Sequence, residues 1–208
     1  MNKLIIAVVL FGSLAVFVQG HGMLLDPVGR GSRWRYDNTA NANYNDNENF
    51  CGGGAIPQVN GVCGLCGDAR SLAQPRPHEL GGMYGQGVIV KTYNQQHFVE
   101  VAAQITANHL GHFEFEICNL DKHGQESEEC FGEHKLDVIE GGKKHYIGSE
   151  RGLLKSTVVL PEGLKCEHCV FRWIYRGGNN WGFCEDGNGA LGCGEQETFV
   201  NCADIKIQ

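Results

Sequence analysis

The residue with the most chemistry to offer is His21, because of what precedes it. Residues 1–20 read as a secretory signal peptide: a basic start at Lys3, an apolar run from Leu4 to Val18, and small residues at Val18 and Gly20. A cut after Gly20 makes His21 the mature N-terminus. It would then carry two metal-capable nitrogens, the free α-amine and the imidazole. The amine has an ordinary pKa of about 8, so a metal competes there with a proton at neutral pH. A second histidine would complete a three-nitrogen site of the kind copper favours. The candidate is His109, in Thr106-Ala-Asn-His109-Leu-Gly111, just past a strand-like run. His112 falls on the even-numbered polar side of the next strand with Glu114 and Glu116, and reads as solvent-facing.

The elements that must position these residues are β-strands. Short apolar or alternating runs occur at 88–93, 98–106, 113–118, 135–139, 156–160, 169–175 and 199–207. In Phe113-Glu-Phe-Glu-Ile-Cys118 the alternation is strict. No long stretch has helical periodicity. The pattern predicts an all-β chain, an antiparallel β-sandwich of the immunoglobulin or fibronectin III type. Residues 26–86 are different: rich in Asn, Gly and Pro, with an Asn-dense segment from Thr39 to Asn49, and they read as long loops.

Cysteines bound the class further. All ten follow the leader: Cys51, Cys63, Cys66, Cys118, Cys130, Cys166, Cys169, Cys184, Cys193 and Cys202. An even count in an exported chain reads as five disulfides tying the loops, with the pairing left open. The two CxxC pairs, Cys63–Cys66 and Cys166–Cys169, stand too far apart for one zinc site, and neither opens a βαβ unit. His168, between the latter two, reads as a surface residue. The net charge of −7, without a basic block, argues against nucleic acid or an anionic membrane as partner. The reading is a secreted, extracellular, single-domain monomer over residues 21–208.

Several segments together resemble a known family. They are His21-Gly-Met-Leu-Leu-Asp-Pro27 with Arg30 and Trp34; Cys51-Gly-Gly-Gly54 after the Asn-rich loop; Ile105-Thr-Ala-Asn-His109-Leu-Gly-His-Phe-Glu-Phe-Glu-Ile-Cys118; and Gln196-Glu-Thr-Phe-Val-Asn-Cys202 through Ile207. In this order they resemble the lytic polysaccharide monooxygenases, most of all auxiliary activity family fifteen of invertebrates. The resemblance covers the whole mature chain.

The resemblance implies one copper ion held by His21 and His109 in a histidine brace. It puts Phe199 at the axial position, where relatives often carry Tyr, and Ala107 as the small residue on the other axial side. It implies oxidative cleavage of crystalline β-1,4-linked polysaccharide by hydrogen abstraction at C1 or C4, with chitin ahead of cellulose. Oxygen or hydrogen peroxide and an external electron donor are the co-reactants. A Glu or Gln near the metal is expected, at a position the sequence does not reveal. A flat substrate face is expected from the 26–86 loops, with Trp34, Tyr36 and Tyr44 as candidates to stack on sugar rings. Replacing His109 with Ala should abolish cleavage while leaving the metal-free fold stable. The competing readings are a non-catalytic chitin-binding or structural cuticle protein and, among enzymes, a glycoside hydrolase, for which no catalytic carboxylate pair stands out.

Overall fold

A computed structural model describes residues 21–51, 63–94, 97–139 and 141–208. The leader at 1–20 and the glycine run after Cys51 lie outside the described residues. The described strands, in chain order, are β1 (His21–Asp26), β2 (Phe50–Cys51), β3 (Lys91–Tyr93), β4 (Phe98–Ala107), β5 (His112–Asn119), β6 (His134–Lys135) and β7 (Asp137–Val138). They continue with β8 (His145–Tyr146), β9 (Gly152–Val159), β10 (Cys166–Arg176), β11 (Trp181–Phe183), β12 (Gly189–Leu191) and β13 (Thr198–Ile207).

Two sheets face each other. One runs β1-β4-β9-β7; the other runs β2-β13-β10-β5-β6, with β3 beside β13 and β8 beside β5. Period-two alternation supplies the core from both. Val99, Val101, Ala103 and Ile105 point inward from β4, meeting Phe113, Phe115 and Ile117 of β5 and Phe171, Trp173 and Tyr175 of β10. Phe113 packs edge-on against both Trp173 (5.2 Å) and Tyr175 (5.4 Å). Each large side chain fully buried here contributes about 1.5–3 kcal/mol. The antiparallel sandwich expected from the sequence is the observed fold, with one exception: β3 runs parallel to β13.

The outer face of the second sheet is covered over much of its area, although Arg176 at the end of β10 stays exposed. The loop carrying Cys66 and two short helices, α1 (Leu120–His123) and α2 (Glu128–Gly132), cover it with a second apolar cluster around Phe131 and Val170. That corrects two expectations. Glu116 is buried and paired with Arg172, and His112 is buried beside Glu114, its Nε2 2.8 Å from Oε1. Alternation assigns a side chain to a face; it cannot tell whether that face meets water. Nor is His168 a plain surface residue. Its Nε2 lies 2.8 Å from Oδ1 of buried Asp204, which also takes Arg30 in a paired contact (2.8 and 2.6 Å).

All ten cysteines are paired: Cys51–Cys63, Cys66–Cys202, Cys118–Cys130, Cys166–Cys169 and Cys184–Cys193. The described residues of 26–86 are mainly loops, as expected, with a 3-10 turn at Arg30–Arg35, whose Arg30 reaches into the Asp204 site, and the two-residue strand β2 paired with β13. The run at 88–90 is not strand; the chain enters β3 only at Lys91.

Candidate metal centre

His21 opens β1 directly opposite Ala107, the last residue of β4. The ladder then slips, since Gly22 pairs with Ile105 and leaves Thr106 as an extra residue. Such a bulge bends a strand and re-aims the side chains beside it. Asn47 holds the bulge, its carbonyl accepting from Gly22 N–H (3.0 Å) and its Nδ2 donating to Thr106 Oγ1 (3.3 Å). The Asn-rich segment therefore lies against the start of β1. From it Glu48 reaches His21, with Oε1 3.4 Å from Nε2.

Beyond Ala107 the chain turns a corner before returning as β5. Asn108 accepts from Leu110 N–H (2.5 Å), and Leu110 takes a left-handed φ of 56°. Gly111 follows with φ 80°; a Cβ there would stand 2.0 Å from the Arg176 carbonyl oxygen. His109 sits at this corner, 6% exposed and anchored three ways. Its N–H donates to the Tyr175 hydroxyl (2.7 Å), its carbonyl accepts from Gly178 N–H (2.7 Å), and its Nδ1 lies 2.6 Å from Glu197 Oε2. Only Asn108 stands between Ala107 and His109, so His109 lies within about 7 Å of the position facing His21.

Below the corner is an aromatic floor. Phe199 is fully buried, stacked on Tyr175 (5.5 Å between centroids, 22° between planes) and tilted against Phe50 (5.5 Å). Burial pushes the Tyr175 phenol up to about 12, opposed by the His109 N–H and reinforced by Glu197. Tyr175 thus stays a neutral hydroxyl at any physiological pH.

The structure brings His21, Ala107 and His109 to one end of β4, and links Phe199 to His109 through Tyr175. Of the aromatic candidates, Tyr36 and Tyr44 are exposed. Trp34 is half-buried, edge-on to Tyr44 (5.2 Å) and under the Arg35 guanidinium (5.1 Å). Sequence reading missed Glu197, Glu48 and Tyr175. Glu197 had a signal: it precedes Phe199 by two, on the same side of an extended chain. Glu48 had none, because a loop contact leaves no periodicity. Among the described residues no three His, Cys, Asp or Glu side chains gather as a metal cluster. A brace made of two histidines and a backbone amine would not form one.

The family described as lytic polysaccharide mono-oxygenase, cellulose-degrading, matches residues 21–205. A solved lytic polysaccharide monooxygenase AA15 from Thermobia domestica, in the Cu(I) state, is 40% identical, with a TM-score of 0.84 over 90% of this chain and 98% of that one. The chain belongs to the lytic polysaccharide monooxygenases, in auxiliary activity family fifteen. A monooxygenase from Kitasatospora papulosa, 14% identical with a TM-score of 0.54 over 90% of this chain and 98% of that one, shares the fold. No curated protein matches.

The monooxygenase is thus a copper enzyme of oxidative polysaccharide cleavage, which sets aside both the non-catalytic reading and the glycoside hydrolase. Two imidazoles at one strand end, each with a carboxylate at one of its ring nitrogens, suit copper. Among the described residues no helix is long and apolar enough to cross a membrane.

Proposed function

We propose that the exported chain is cut after Gly20 and that His21 and His109 hold one copper ion. The observation that carries this is the register: His21 faces Ala107, with His109 two residues on. The nitrogens facing carboxylates support a division of labour. Glu48 approaches His21 at Nε2 and Glu197 approaches His109 at Nδ1. The donors to copper would then be the His21 amine with the neighbouring Nδ1, and Nε2 of His109. A carboxylate on the distal nitrogen fixes tautomer and ring orientation. The family match beginning at residue 21 also supports a domain starting there.

Bound copper supplies the one-electron chemistry that activates oxygen or hydrogen peroxide, with an external donor providing electrons. The chain's own residues do the rest. Tyr175 and Gly178 hold the His109 backbone from both sides. Near the copper, Phe199 would offer no oxygen ligand and Ala107 would leave little bulk. Tyr36 and Tyr44, both exposed, would meet the polymer; Tyr44 lies on the same loop as Glu48, which reaches His21.

The substrate is a crystalline β-1,4-linked polysaccharide, chitin before cellulose by family tendency, attacked at C1 or C4. The enzyme acts as a secreted monomer. Intact mass with and without one equivalent of copper, together with N-terminal sequencing, tests the site. A chain starting at His21 that retains one copper supports it; a different or blocked start with no uptake overturns it. Soluble oxidised products from cellulose but not from β-chitin would overturn the substrate order.

A further inference from the structure

Strand β10, in the second sheet, sends Phe171, Trp173 and Tyr175 into the core on one face. The last of these holds one candidate ligand, since the Tyr175 hydroxyl accepts from the His109 N–H (2.7 Å). Trp173, two residues earlier, lies under the strand of the other. A Cβ built at Gly22 would stand 3.1 Å from Trp173 Cη2 and 2.9 Å from Ile105 Cδ1. The outer corner of the indole therefore rests against the bare backbone of the residue next to His21.

The indole has no room to give way. It is fully buried, edge-on to Phe113 (5.2 Å) and stacked towards Tyr175 (6.1 Å between centroids, 29° between planes). Phe113 also meets Tyr175 edge-on, so the three rings pack as one unit. Trp173 Nε1 is buried with no hydrogen-bond partner. An unpaired buried N–H is a cost that a phenyl ring would avoid. What the indole adds over phenyl is reach, and Cη2, at the end of that reach, is the atom that meets Gly22.

Hydrogen bonds fix the same stretch of β1. Gly22 N–H donates to the Asn47 carbonyl (3.0 Å), and Leu24 N–H donates to Asn201 Oδ1 (2.9 Å). Asn201 stands opposite Trp173 in the β10–β13 ladder. β1 thus rests on two neighbouring side chains of the second sheet, at Gly22 and at Leu24. Just before this support the β1–β4 ladder slips, between His21 and Gly22. With the ladder irregular at that step, the direction of His21 depends on where Gly22 is held.

We propose that Trp173 is a positioning residue for the copper site: through Gly22 it sets the depth at which the His21 amine and imidazole meet the metal. Tyr175 holds His109 from the same strand, so one rigid aromatic unit fixes the separation of the two ligands. The proposal rests on the reading that His21 and His109 hold copper. Gly22 and Trp173 are then a matched pair, in which bulk added at one must be removed at the other. Ile105 Cδ1 ends a flexible side chain and can move aside; the indole, packed on Phe113 and Tyr175, is the fixed surface.

The test uses the mature protein beginning at His21. Competition calorimetry gives copper affinity, electron paramagnetic resonance reads the Cu(II) geometry, and denaturant unfolding of the metal-free form gives stability. Trp173→Phe withdraws the support and Gly22→Ala overfills it. Each is expected to lower copper affinity at least about five-fold and to shift the spectrum. The double variant is expected to recover part of the affinity, because the new methyl fills space that the indole vacates. Phe171→Leu, a fully buried change further down the same strand, is expected to lose stability with affinity and spectrum unmoved. Wild-type affinity and spectrum in both single variants would overturn the proposal. An equal shift in Phe171→Leu would do so too, since it would mean a general loosening of the core, as would losses that simply add in the double variant. If Trp173→Phe does not fold, Gly22→Ala decides alone, and unchanged copper binding there overturns the proposal. A wild type that takes up no copper overturns the copper reading itself, and this proposal with it.

Discussion

Glu197 Oε2 lies 2.6 Å from Nδ1 of His109, with both side chains almost wholly buried. The carboxylate can steer the imidazole only through this contact. Glu197→Gln keeps the shape and removes the charge, and the expected result is a 10- to 100-fold loss of copper affinity, of the order seen when such partners are removed from bound histidines. Competition calorimetry reads it. An unchanged affinity would mean that Glu197 has no hold on the metal site.

The same contact revises what His109→Ala should do. Read as a loop residue, His109 could be removed without harm to the metal-free fold. Buried against Glu197, it leaves an acceptor without its partner, at a cost of about 1–3 kcal/mol. The variant is expected to lose oxidative cleavage and also to unfold earlier in denaturant. Wild-type stability would show that water replaces the ring at no cost.

Gly111 sets the corner that aims His109. With φ at 80° and the Arg176 carbonyl oxygen 2.0 Å from any Cβ, Gly111→Ala must move backbone. A loss of more than about 2 kcal/mol is expected, from left-handed strain plus the displaced carbonyl. Chemical unfolding with the disulfides intact measures it. Gly141, where φ is 120° and no atom comes within 4 Å of a Cβ, is the control that isolates backbone strain from the clash.

Acid should attack the fold at Asp204. Burial pushes its pKa up, but hydrogen bonds from Arg30 and His168 outweigh this and hold it below the usual carboxylate value. A depressed carboxylate contributes stability above its unfolded pKa of about 3.9 and loses it as pH falls through the folded value. Melting temperature is therefore expected to drop steeply below about pH 4. Asp204→Asn should be less stable at neutral pH yet flatter across this acid range. Parallel slopes for the two proteins would place the acid-sensitive group elsewhere.

Much of this protein is written locally and could be read without a structure. Strand alternation such as Phe113, Phe115 and Ile117 follows from a period of two, and it yields the sandwich. The cysteine count yields five bridges. His21, His109, Ala107 and Phe199 could be named as site candidates because the family spaces them along the chain. Tertiary structure decided the rest, because it depends on what lies across a gap. Glu116 and His112 keep the face that alternation assigns them, yet that face is covered, so they are buried and paired. Glu48 meets His21 from a loop with no pattern of its own. Glu197 is defined by its contact with His109. Trp181, Phe183 and Leu191 come together on one exposed face of the β11–β12 hairpin, where Gly189 leaves room for the indole. Periodicity encodes which way a side chain points; only packing decides what it meets.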